Sequence, residues 1–200
     1  MPVPHSLDVM TDTRTQIGTI LPRVERHLTA LDSSAERAAV EAGIPKTLLD
    51  LLRLRVSQLN GCSYCVDAHS RDARDGGEGE RRVVLIAAWH HTDLYTDSER
   101  AALALAEAMT VQPDVRDVPD DIYQQATAAF TEQQFAAIAW TIIAMNAWNR
   151  GRRAGPHAAT PTRMSVSEPR VAARWRSGDR SAPGSRRRSR PTPAGTSRSA

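Results

Sequence analysis

A chain of 200 residues with 40% apolar content is long enough for one domain with its own core. No uninterrupted apolar run approaches the roughly 18 residues of a membrane span. The net charge of +3 hides a division, because residues 151–200 hold 12 Arg against 2 acids while residues 1–150 hold 14 Lys or Arg against 21 acids. The folded part is therefore acidic, which disfavours nucleic-acid binding by it, and the basic character belongs to the C-terminal segment. The N-terminal residues lack the basic start and apolar block of a secretory signal, so a cytoplasmic location is expected.

Residues 1–18 read as a flexible lead-in. From Thr19 to Ala42 the residues Ile20, Leu21, Val24, Leu28, Leu31, Ala35, Ala38 and Ala39 recur at helical spacing. Asp32-Ser33-Ser34 offers a break into two helices, with Ser34 capping the second. Gly43 ends this stretch, and Pro45 suits the first position of the next helix. That helix carries Leu48, Leu49, Leu51, Leu52, Leu54, Val56 and Leu59, apolar over more than one face, which places it in the middle of a core. Asn60-Gly61 is its stop signal.

A further helix is predicted from near Cys62 to Asp75-Gly76-Gly77, and a short buried one over 79–89. His90-His91-Thr92-Asp93 reads as a loop. Thr96–Glu99 and Thr131–Gln134 match the capping-box pattern and launch helices. Gln112–Val118 is a connector, and Pro119-Asp120-Asp121 opens another helix through Ile122, Tyr123, Ala126 and Phe130. Strand alternation is missing, so the reading is all-α, six to eight helices over 19–150. Residues 151–200 are rich in Arg, Ser and Pro and lack apolar periodicity, the composition of a disordered tail. Three origins stand beside one another for it: a basic solvated tail, an arm for RNA or a membrane surface, and a shifted frame of a GC-rich gene.

The chemistry concentrates between Asp50 and His69. Cys62 and Cys65 are the chain's two cysteines, spaced C-x-x-C, with His69 four residues past the second and Asp50 twelve before the first. In a cytoplasmic protein this pair points to redox or metal chemistry rather than to a structural staple. At the start of a helix, unsatisfied N–H groups and the macrodipole favour a thiolate. Cys62, Cys65 and His69 then share one helical face, and a base one turn from a thiol is the minimal arrangement for activating it. His69 lies one turn from Cys65 and two from Cys62, which favours deprotonation of Cys65 and leaves the order of attack open. Asp50 is the candidate to orient His69 or take its proton. The competing readings are two small buried cysteines without chemistry, a solvated Asp50, and a zinc site of Cys62, Cys65 and His69 completed by His90 or His91.

The run Leu54–His69 resembles the signature of the carboxymuconolactone decarboxylase-like family, and more closely its alkyl hydroperoxidase D (AhpD-like) branch, which carries Glu-x11-Cys-x-x-Cys-x3-His. Ala87-Ala88-Trp89, Tyr95–Leu103 and Asn146–Arg150 are similar to the family too. Two positions depart from the branch: Asp50 stands for Glu, and Tyr64 stands where some members have a second His. The resemblance implies an AhpD-like helical bundle that forms trimers or hexamers, and thiol-dependent reduction of hydroperoxides. Catalytic roles then fall to Cys62, Cys65, His69 and Asp50, with no metal and no cofactor beyond the cysteine pair and an external dithiol or protein reductant. The alternative is a redox-sensing or metal-binding helical module without turnover, which stoichiometric zinc that blocks thiol alkylation would favour.

Overall fold

The computed structural model describes residues 14–111 and 117–155, all within one compact unit. In chain order the helices are α1 (Ile17–Ile20), α2 (Pro22–Glu41), α3 (Lys46–Leu59), α4 (Ser63–Asp75), α5 (Glu80–Leu85), a 3-10 segment (Ile86–His91), α6 (Asp97–Thr110), α7 (Asp120–Ala129) and α8 (Glu132–Ala154). Among the described residues no strand forms, so the fold is all-α.

The arrangement follows from α3. Leu49, Leu51, Leu52 and Val56 point in different directions round its axis, and each is fully buried. A helix apolar all round must be enclosed, and α3 is wrapped by α4, α6 and α8. Each such side chain adds about 1.5–3 kcal/mol relative to exposure, enough to take the polar Asp50, Arg53 and Ser57 of the same helix inside with them. Around this axis α2 lies along α8 and α7 packs on α6. Thr96 and Thr131 make the two expected capping boxes, each accepting from the N–H three residues on while Glu99 or Gln134 reaches back.

Five local expectations are corrected. α2 runs unbroken through Asp32-Ser33-Ser34, because Ala35 and Ala39 are buried and Asp32 is tied to Arg53 at 3.1 Å; tertiary packing overrides the weak break signal. The helix expected to run from Thr19 is divided at Leu21, between α1 and α2, since Pro22 pushes Leu21 into φ −120°, ψ 64°. Pro45 caps α3 from outside, with extended φ −61°, ψ 136°. The stretch after Leu85 tightens into a 3-10 segment that includes His90 and His91. Val83, Ile86 and Trp89 are all buried and lie three apart, a spacing that the tighter turn after Leu85 serves, with a kink at Ala88 (φ −116°, ψ 25°). α8 continues past Arg150 to Ala154, with Gly155 as its cap. The remainder of the basic segment, its expected disorder and the greater part of the 1–18 lead-in lie outside the described residues.

Candidate active site

The cysteines sit where a buried helix turns back. Gly61 takes φ +64°, a left-handed conformation that costs glycine little, and so reverses the chain directly before Cys62. Cys62 is the N-cap of α4 and Cys65 its third residue. Their sulfurs are bonded, with the Cα atoms 5.3 Å apart, and both residues are at most 5% exposed.

A polar cluster inside the bundle fixes this turn. Asn60 Nδ2 donates to Asn146 Oδ1 at 2.9 Å and to Asn149 Oδ1 at 3.2 Å, both on α8. Asn149 Nδ2 donates to Ser57 Oγ at 3.1 Å, and the Ser57 carbonyl accepts from the Cys62 amide at 3.1 Å. Buried amides placed this way satisfy one another, and together they lock the residues before the C-x-x-C turn onto α8.

His69 lies one helical turn beyond Cys65 on α4, and its side chain is largely buried. Its Nδ1 is 3.3 Å from Asp72 Oδ2. A carboxylate only accepts, so this bond places the proton on Nδ1 and leaves the Nε2 lone pair free. Burial pushes the imidazole below its ordinary value and the Arg53 charge pushes the same way, with Asp72 and Asp32 working against them. The ring is therefore neutral at pH 7, the form in which it is a base.

Asp50 stands elsewhere. Its buried carboxylate accepts from Lys46 Nζ at 2.8 and 2.9 Å and lies 3.9 Å from Arg53 Nη1. The backbone at Gly76 closes over it so tightly that a Cβ there would fall 3.2 Å from Asp50 Oδ2. The hydrogen bond of His69 is thus to Asp72 and not to Asp50, whose shorter side chain is taken by the lysine one turn before it. Arg53 links the two regions. It is 6% exposed and binds Glu36 at 2.9 Å and Asp32 at 3.1 Å. Burial opposes its charge, and these two carboxylates outweigh that and raise its pKa.

Sequence reasoning missed Asp72, Arg53, Asp32 and Glu36. Asp72 had a readable signal, three residues after His69 on one helix; the α2 carboxylates had none, being far from Arg53 in the chain. His90 belongs to a different group, in which Glu107 accepts from Trp89 Nε1 at 2.8 Å and Arg55 Nε at 2.7 Å and faces His90 Nε2 at 3.1 Å. Burial opposes the Glu107 charge, but these partners hold its pKa below the ordinary carboxylate value. Among the described residues no group of three or more His, Cys, Asp and Glu is arranged for a metal ion.

Residues 22–108 match the model of the carboxymuconolactone decarboxylase family. The uncharacterized protein YdfG of Bacillus subtilis is 39% identical over 115 residues, 58% of this chain and 78% of that one. The chain belongs to the carboxymuconolactone decarboxylase family. Among solved structures, an Agrobacterium tumefaciens protein of unknown function, provisionally an antioxidant defence protein AhpD, is 30% identical with a TM-score of 0.64, covering 74% of this chain and 99% of that one. The debrominase Bmp8 is 27% identical with a TM-score of 0.52, over 59% of this chain and 63% of its own. The AhpD-like fold of this family member is therefore shown, and its relatives include a protein tied to antioxidant defence and an enzyme.

Proposed function

We propose that the protein is a thiol-dependent peroxidase, a disulfide reductase of AhpD-like type that cycles through the Cys62–Cys65 pair. One observation carries the reading: the two sulfurs are bonded at the start of α4, one turn before a buried, neutral histidine with a free Nε2. In the reduced protein, His69 Nε2 takes a thiol proton while Asp72, more than half exposed, holds the opposite nitrogen and faces solvent. The thiolate attacks one peroxide oxygen and the O–O bond breaks. The alcohol leaves with a proton, and the cysteine becomes a sulfenic acid. The second thiol then displaces water from that sulfur, forming the disulfide. An external dithiol returns the pair to its reduced state and is itself oxidised to a disulfide. Asp50 acts at one remove, through the charge of Arg53.

Steady-state oxidation of a dithiol donor by a hydroperoxide tests this. Cys62→Ser and Cys65→Ser should each abolish turnover. The variant lacking the resolving thiol should stop after one cycle at a sulfenic acid that a sulfenate-specific reagent traps. Turnover surviving either substitution overturns the reading.

A second reading rests on the similarity to a debrominase. The same dithiol holds two electrons, which could replace a carbon-bound bromine by hydrogen with release of bromide and formation of the disulfide. Bromide release from an organobromine compound, dependent on both cysteines and exceeding peroxide turnover, would favour it.

The same reading extends to assembly and location. We propose a homo-oligomer, trimer or hexamer, working in the reducing cytoplasm. Trp140 and Ile143 of α8 are 50% and 40% exposed, and Trp140 borders an apolar groove of about 320 Å³ with Leu31, Ala35, Ala38, Ala136 and Ala137. Among the described residues no helix is long and apolar enough to cross a membrane.

A further inference from the structure

The last turn of α8 reaches the cysteine pair from outside. The guanidinium carbon of Arg152 lies 4.5 Å from the centroid of the Tyr64 ring and 5.8 Å from that of Trp148. Tyr64 is the second residue of α4, between the two cysteines, so the charge rests on the residue next to Cys65. Arg152 is exposed, and among the described residues no carboxylate forms an ion pair with it. The nearby acids of α4 are engaged: Asp67 with Arg71 at 2.5 Å and Asp72 with His69 at 3.3 Å.

Contact with the two aromatic rings holds the guanidinium in place. Among the described residues no group accepts from its N–H donors, which form the planar fork that matches a carboxylate. The N-terminus of α4 adds partial positive charge on the same side. The remainder of the folded part carries excess negative charge over residues 1–150, so this positive spot is local and runs against the overall field. A cation that only offsets the C-terminal dipole of α8 needs no aromatic seat, and Arg153 shares the last turn with Arg152.

We infer that Arg152 is a specificity-determining residue that draws a carboxylate-bearing substrate to the Cys62–Cys65 pair. This deepens the proposed function and rests on the pair being reactive. The carboxylate docks on the free edge of Arg152, and the group to be reduced extends past Tyr64 toward the sulfurs.

The test uses the full chain with its pair reduced. Alkylation rates are measured with iodoacetate, an anion, and iodoacetamide, its neutral counterpart. Both need the same thiolate, so the quotient of the two rates cancels thiol pKa and leaves the local field. Arg152→Ala should lower the iodoacetate-to-iodoacetamide quotient roughly three- to tenfold at low salt, as expected for a unit charge near a solvated site, and the difference should shrink at high salt. Arg152→Lys should keep part of it, and Arg153→Ala should leave it unchanged. With a fatty-acid hydroperoxide, Arg152→Ala should raise KM by more than it does with neutral tert-butyl hydroperoxide. An unchanged quotient in Arg152→Ala, or an equal fall in Arg153→Ala, overturns the role of Arg152. The quotient is read on the dithiol itself, so it stands apart from whether peroxide is turned over.

Discussion

The tautomer of His69 decides which nitrogen can take a proton from a thiol, and Asp72 sets that tautomer at 3.3 Å. The same ring gives a stability signature. Burial and Arg53 lower its pKa in the folded state below 6.5. The unfolded chain therefore binds a proton at His69 before the folded chain does, so stability is complete above about pH 6.5 and falls as pH drops from there toward the folded value. Urea midpoints across this window should decline with acidity in the wild type and decline less in His69→Gln; parallel profiles would contradict the buried neutral ring. At this scale the sequence showed Cys62, Cys65 and His69 together, because a helix makes spacing into geometry. It did not show that Asp50 turns to Lys46, since a buried carboxylate is claimed by whichever cation the packing brings nearest.

The elements that position the site were legible to different degrees. Both capping boxes and the Gly61 turn are local devices, complete within four residues, and they stand where their patterns are written. The continuity of α2 and the 3-10 segment depend on what lies opposite them, and a local pattern carries no record of that. The asparagine cluster is the clearest such case, because Asn60 and Asn149 are 89 residues apart. Asn149→Ala should remove the bonds to Asn60 and Ser57, leave a cavity in the core and destabilise the fold by about 1–3 kcal/mol. It should also loosen the turn before Cys62, seen as faster alkylation of the reduced pair by a bulky maleimide. A variant with wild-type urea midpoint and wild-type alkylation would show that α8 does not anchor the turn.

For the whole molecule, α3 and α8 use their apolar surface differently. α3 is used up inside the bundle, whereas α8 leaves Trp140 and Ile143 outside. Ile20, Leu21 and Val24, part of the series at helical spacing, are also exposed, each at 60% or more. A contiguous exposed apolar patch marks an interaction site, and the proposed assembly would set these groups against another copy. Sedimentation at micromolar concentration should show an oligomer, and Trp140→Glu should shift it toward monomer with the helical content unchanged. A monomeric wild type would remove the proposed assembly.

The central claim is that His69 makes one thiol of the Cys62–Cys65 pair reactive toward peroxide, and a single-turnover experiment meets it directly. The reduced full chain is mixed with a hydroperoxide, and thiol loss is followed against pH in the wild type and in His69→Ala. The wild type should lose both thiols for each peroxide consumed and regain the Cys62–Cys65 disulfide. His69→Ala should be slower by roughly 10²–10⁴-fold near neutrality, with the gap closing as pH nears the ordinary thiol value of about 8.5. Coincident pH–rate curves for the two proteins would show that His69 activates neither cysteine.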